Sequence, residues 1–247
     1  MIKKIISFAL ALTMLLSILA TVSACNSFDK IDDEEDEDEY IEVHCKDKND
    51  DLICDNCGLK FKVNGDSATI VGIGECTDST VKIPDYFNGK KVSALGFYAF
   101  QNAKNIEVLK IPKNFSFIGD NALSGCDNIK SINVASENET YKSIDGNLYS
   151  KDRKKLIKYA PGKTKTSFDI PKGVKNIDSA AFAGADSLES VSIPSSVTNI
   201  ESIAFARCTN LESIIFYGTM EQWEAVTKAS NWDSGIENCT VYYVCEE

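Results

Sequence analysis

Nine cysteines and a single histidine carry most of the chemistry open to this chain. The densest group is residues 44–58, HCKDKNDDLICDNCG. Cys54-x-x-Cys57-Gly58 has the form of a zinc knuckle. With His44 and Cys45 it offers the four nitrogen and sulfur ligands that tetrahedral zinc takes. His44 and Cys45 are adjacent, an awkward pair for one ion, and no second C-x-x-C is present. Calcium is a further reading. Asp47, Asn49, Asp51 and Asp55 occupy alternate positions of an EF-hand-like loop, but Leu52 stands where the turn needs Gly, and Gly58 where it needs Glu. The spacing also suits a disulfide from Cys45 to Cys54 or Cys57 in an oxidising compartment. The order of expectation is zinc, then disulfide, then calcium. The segment has too little apolar sequence to fold without such a staple.

Elsewhere the chemistry is thin. There is no G-x-S-x-G, no H-E-x-x-H, no P-loop and no second His to pair with a thiol, so an enzyme is not expected. A formal charge of −11 lacks the basic surface that phosphate binding needs, so no nucleic-acid partner is expected. A chain that is 43% hydrophobic and 26% charged suits a folded protein.

Lys3 and Lys4 precede an uncharged apolar run, Ile5 to Val22, and then Ser23-Ala24-Cys25. The run is close to the length of a membrane span. Its ending, Val22-Ser23-Ala24-Cys25, resembles the bacterial lipobox. That resemblance implies cleavage before Cys25 and a diacylglyceryl group on its thiol. Several acyl chains on one residue anchor stably, where one does not. The expectation is a chain held extracytoplasmically on a bacterial membrane or cell surface by its lipid. DDEEDEDE at 32–39 repels itself and has nothing to bury, so residues 25–43 read as a solvated tether.

The elements that position everything else are repeats. IPKGVKNIDSAAFAGADSLESV, residues 170–191, recurs as IPSSVTNIESIAFARCTNLESI, residues 193–214. Anchor residues Phe100, Leu123, Phe182 and Phe205 each follow Ala, and each adjacent pair, 100 to 123 and 182 to 205, is 23 residues apart. Three residues on are Ala103, Cys126, Ala185 and Cys208; nine on are Leu109, Ile132, Val191 and Ile214. Runs such as LESVSIP alternate, so one set faces a core while Ser190 and Ser192 face out. Pro has no N–H for the ladder and ends each strand. One unit cannot bury its own apolar layer; a stack of units can. Cys126 and Cys208 are too far apart in the stack for a disulfide and read as buried thiols bonding the turns.

The pattern I-P-x-x-V-x-x-I-x-x-x-A-F-x-x-C-x-x-L-x-x-[IV] closely resembles the BspA-like (type 5) leucine-rich repeats of bacterial surface proteins. The resemblance spans about residues 66–245. The fold expected is a mostly β repeat solenoid of the α/β leucine-rich type, a right-handed stack of short parallel strands. Residues 1–24 are signal peptide, 25–43 tether and 44–60 the Cys-rich segment. An N-terminal β cap covers 61–80 and repeats cover 81–216, with a hairpin insertion at 135–170 turning at Asp145-Gly146. A helix-plus-strand cap, its helix near Glu221 to Ser230, closes the chain over 217–247.

Members of the resembled family are commonly assigned adhesive roles, which implies an extracellular protein or glycan partner. The outward strand positions Val108, Lys110, Ser131, Asn133, Ser190, Ser192, Ser213 and Ile215 are the face expected to meet it. The alternative is a structural component of the envelope with no ligand. The insertion also collects Lys151, Arg153, Lys154, Lys155, Lys158, Lys163 and Lys165, either a solvated face or a contact for an anionic glycan.

Overall fold

The computed structural model describes residues 42–236 and 239–244. The expected signal peptide, Cys25 and the acidic run at 32–39 lie outside the described residues. Among the described residues no helix is long and apolar enough to cross a membrane.

The chain coils into a mostly β solenoid whose repeats contribute a strand and a return strand. Thr80–Lys82, Val108–Ile111 and Ser131–Val134 form one parallel ladder. Ser167–Asp169, Ser190–Pro194, Ser213–Tyr217 and Thr240–Tyr243 form another. Equal repeat length sets the register: Val191 faces Ile214, and both are buried. The prolines do more than end strands. The carbonyls of Pro112, Pro171 and Pro194 accept from the N–H groups of Phe115, Val174 and Val197 at 3.3, 3.3 and 3.0 Å, opening the same turn in each coil. Return strands Lys155–Lys158, Asn176–Ile177, Asn199–Ile200 and Thr227–Lys228 pair in parallel behind it.

The anchor loops stack backbone on backbone. Phe100 donates its N–H to Ala122 O at 2.9 Å, and Phe182 to Ala204 O at 2.7 Å. Two residues before each anchor the backbone is left-handed, at Tyr98, Asn121, Ala180 and Ile203; two residues after, at Asn102, Gly125, Gly184 and Arg207. A β-branched residue rarely adopts this conformation, so Ile203 at φ 50 is held there by its neighbours. Cys126 Sγ donates to Phe100 O at 2.9 Å and Cys208 Sγ to Phe182 O at 3.2 Å, the turn-bonding role expected of them.

The 135–170 insertion divides differently from the sequence expectation. Tyr159 stacks on Phe182 at 5.4 Å, 23 residues ahead of it, and donates its N–H to Ala181 O at 2.8 Å. Phe168, nine residues on, lies opposite Val191. This is a fifth repeat, hidden because Lys158 and Lys165 stand where the other copies have Ala and Leu or Ile. The true extra is a hairpin, Tyr141–Ile144 and Asn147–Ser150, turning at Asp145-Gly146 with both residues left-handed. The hairpin lies against Ser131–Val134, with Ile132 N–H donating to Gly146 O at 2.8 Å. It therefore ends the first ladder, and the single continuous strand face expected is two ladders.

Two buried polar groups fasten this region. Asn138 is fully buried. Its Nδ2 donates to Pro112 O and Phe115 O, each at 2.8 Å, and its Oδ1 accepts from Thr140 N and Tyr141 N at 2.9 and 2.7 Å. Lys158 is buried, and its Nζ donates to Ala180 O at 2.8 Å and Ala183 O at 3.3 Å. Burial pulls the Lys158 ammonium down to about 8.

Caps close both ends. Lys60–Asn64 pairs antiparallel with Ser67–Gly72, which pairs with Lys90–Leu95. At the other end Thr219 and Gln222 form a capping box for the helix Met220–Ala225. The helix stops short of the expected Ser230 because Thr227–Lys228 joins the return ladder beside Asn199–Ile200. Trp223 packs on Phe216 at 5.2 Å and Trp232 on Phe205 at 5.7 Å, covering the last apolar layer.

Asn138→Ala removes one of two partners from Pro112 O and leaves Phe115 O and the N–H groups of Thr140 and Tyr141 without theirs. We expect it to lower unfolding free energy by about 3 kcal/mol in urea titrations. Between pH 8 and the ordinary lysine value, the unfolded chain binds the Lys158 proton and the folded chain does not, so stability rises with pH there. Relative to Lys158→Met, wild-type stability should climb by up to about 3 kcal/mol from pH 7.5 to 10.5, read by denaturant titration at each pH.

Candidate functional site

The Cys-rich segment packs onto the cap. His44–Cys45 pairs in parallel with Tyr86–Phe87, and the Val43 N–H donates to Asp85 Oδ2 at 2.9 Å. Glu42 meets Lys113 Nζ at 2.8 Å. Alternation along the strand turns Cys45 into the core and His44 outward, where its ring stacks on Tyr86 at 4.7 Å. His44 is thus separated from the thiols it was expected to join. Cys45, Cys54 and Cys57 are all buried, with their Sγ atoms within 4.8 Å of one another. Cys45 Sγ and Cys57 Sγ lie 3.3 Å apart, and the Cys57 N–H donates to Cys54 Sγ at 3.3 Å. Hydrogen bonds from Cys45 and Cys57 hold the Cys54 thiol well below its ordinary range. Hydrogen bonds with Cys54 and Cys57 push Cys45 up.

The acidic positions considered for calcium hold the loop instead. Asp47 Oδ2 accepts from Leu52 N at 2.8 Å, Asp51 Oδ1 from Ile53 N at 2.7 Å, and Asp55 Oδ2 from Lys48 N at 2.9 Å. Asp47 Oδ1 is buried with no hydrogen-bond partner.

The eight outward strand positions fall into two groups. Val108, Ser131, Lys110 and Asn133 share the first ladder, and Ser190, Ser213, Ser192 and Ile215 the second. Lys110 and Asn133 are exposed, whereas Val108, Ser131, Ser190, Ser213 and Ile215 are half-buried. Ser192 is buried, contrary to expectation, because its short side chain lies in the row between the larger Asp169 and Ile215. The basic cluster is dispersed: Lys158 is buried, Lys155 pairs with Asp178 at 3.4 Å, and Lys163 donates to Asp145 O and lies over the Tyr159 ring.

Sequence reasoning missed an exposed aromatic cluster. Phe97 is 61% exposed, Tyr98 55% and Phe117 47%. Phe97 and Phe117 meet edge to face at 6.0 Å. A signal was present: the slots of Phe97 and Tyr98 hold Asp120 and Asn121, Ser179 and Ala180, and Ser202 and Ile203 in other repeats.

Gly58 is left-handed at φ 68, and a Cβ on it would lie 2.6 Å from Cys76 N. We expect Gly58→Ala to lower unfolding free energy by about 2 kcal/mol or more and to raise amide exchange in residues 44–58, read by hydrogen-exchange mass spectrometry.

Comparison with known proteins bears on the fold. No curated protein matches the chain. Among solved structures, the pneumococcal vaccine antigen PcpA is 22% identical with a TM-score of 0.49, over 66% of this chain and 49% of that one. A leucine-rich repeat protein from Eubacterium ventriosum is 23% identical with a TM-score of 0.44, over 66% of this chain and 47% of that one. The chain spans about half the length of these two structures. The T. pallidum leucine-rich repeat protein is 18% identical with a TM-score of 0.41, over 75% and 83% of the two chains. The BspA type leucine rich repeat region matches residues 74–160 and 158–227 in six copies, reaching through the coil that Tyr159 anchors. The stacked coils, their recurring anchors and this match together make the chain a member of the BspA type leucine rich repeat family.

Proposed function

We propose that the chain is a cell-surface binding module, held to the bacterial envelope by lipid on Cys25, and that it adheres to a protein partner. The observation that carries this reading is the exposed cluster Phe97, Tyr98 and Phe117. Large aromatic side chains left in water on a stable scaffold are the anchors by which protein interfaces gain most of their affinity. The Phe97 and Phe117 rings are inclined at 74°, so they offer no flat platform for a sugar ring. They suit insertion between side chains of a partner surface. A ligand-free envelope scaffold has no use for three exposed aromatics on neighbouring coils.

The test is binding of the lipid-free chain to arrays of extracellular proteins and glycans, repeated with Phe97→Ser/Phe117→Ser. A protein ligand weakened about 30-fold or more by the double substitution, with circular dichroism and melting temperature unchanged, supports the reading. Protein hits indifferent to the substitution overturn the site; glycan hits alone overturn the partner class; an absence of hits at micromolar concentration favours the scaffold. Cys25→Ser should move the chain from the membrane fraction to the medium.

A further inference from the structure

Four cysteines of this chain are buried around one spot, and only three were foreseen as a group. Cys76 follows the strand Ser67–Gly72 and belongs to the cap. The structure presses it against the knuckle. The turn at Gly74-Glu75-Cys76 and the turn at Cys57-Gly58 meet through backbone alone: Glu75 N–H donates to Gly58 O at 2.9 Å, and a Cβ on Gly74 would lie 2.1 Å from that oxygen. A Cβ on Gly58 would lie 3.0 Å from Cys76 Cα. Two left-handed glycines, one on each turn, permit this approach. Asn105, from the first repeat, fixes the far side of the turn by donating to Cys76 O at 3.3 Å and Asp78 O at 2.9 Å. Cys54, Cys57 and Cys76 line one cavity of about 320 Å³.

We propose that Cys76 completes Cys45, Cys54 and Cys57 as a tetrathiolate zinc site that clamps the leading segment onto the solenoid cap. The donor set fits the ion. Tetrahedral zinc at Zn–S of ~2.3 Å places its sulfurs roughly 3.8 Å apart, the scale on which Cys45, Cys54 and Cys57 already sit. The Cys54-x-x-Cys57-Gly58 turn, with the Cys57 N–H on Cys54 Sγ and the Gly58 N–H on Cys54 O at 2.8 Å, orients one sulfur pair. Cys45 enters from the strand beside Phe87, and Cys76 from the opposing turn. Cys76 Sγ lies outside the 4.8 Å set, so it must draw closer to bind. Three ligands come from the leading segment and one from the opposing cap turn, so the ion adds a tie to the backbone hydrogen bonds and the short strand pair that already join them. All four sulfurs bind as thiolates, so loading releases protons, and the site is structural, with no position left open for substrate.

The test uses the full chain, purified with reductant and without chelator. We expect one zinc per chain by mass spectrometry of metals. The cobalt-substituted chain should show the charge-transfer and ligand-field spectrum of a four-sulfur tetrahedral site. This spectrum reads the ligand set in the unmutated chain, whatever the variants do. Cys76→Ser should weaken zinc binding by more than about 100-fold, since even lost second-shell contacts cost 10–100-fold, while His44→Ala keeps it. Disulfides among Cys45, Cys54, Cys57 and Cys76, free thiols that retain no added zinc, or a three-sulfur cobalt spectrum would each overturn the proposal.

Discussion

Everything in this molecule depends on apolar layers that no single coil can cover. Each repeat carries an anchor, a small residue and two aliphatic positions on one edge, and these meet water unless another coil lies on them. Phe182 on Phe205, with ring centroids 4.7 Å apart and planes 7° from parallel, is the contact in its simplest form. Tyr159 extends the column on one side and Trp232 closes it on the other. The backbone follows the same rule. Loop amides donate to the loop of the next coil, so a coil at the end of the array lacks both partners and cover. The caps are thus part of the stack's stability: the antiparallel Lys60–Asn64 and Ser67–Gly72 at one end, and Trp223 and Trp232 at the other.

The same dependence explains where polar groups are admitted to the interior. The hairpin interrupts a ladder and leaves Pro112 O, Phe115 O and the amides of Thr140 and Tyr141 without strand partners; Asn138 satisfies all four with one side chain. In the fifth repeat Lys158 reaches the turn carbonyls Ala180 O and Ala183 O. A buried ammonium is a costly donor, and its depressed affinity for the proton is the mark of that cost. Thiols do a similar task more cheaply at Cys126 and Cys208. Cysteine in this chain therefore serves two ends: single thiols bond turns inside the array, and a buried group of thiols sits at its entrance.

Packing claims nearly every recognisable position of a repeat, so recognition must use what is left. The strand faces offer mainly Ser, Asn and Lys, and neighbours cover some of these, as Ser192 illustrates. Phe97 and Tyr98 depart from the pattern of their slots, and the stack gains nothing by exposing them. The family's architecture explains how they are held, and the proposed adhesion rests on their being there at all.

Periodicity by itself determined the solenoid, its register and the anchor, small and aliphatic positions of the core, because a core that must be shared between coils imposes the same residue at the same step each time. It also fixed the Asp145-Gly146 turn, whose backbone few residues can adopt. The fifth repeat escaped because Lys158 and Lys165 break the apolar pattern while Tyr159 and Phe168 still occupy its places in space. The site at the entrance was legible only in part. Spacing drew Cys45, Cys54 and Cys57 together but enlisted His44, which strand alternation turns away. It left Cys76 unassigned, since the contact of two glycine turns distant in sequence is set by folding the cap. Exposure was decided by tertiary structure alone: it covered Ser192, buried Lys158 and left Phe97, Tyr98 and Phe117 in water. A sequence pattern records which residues a repeat needs inside, and only the assembled coils decide which of the others the neighbours cover.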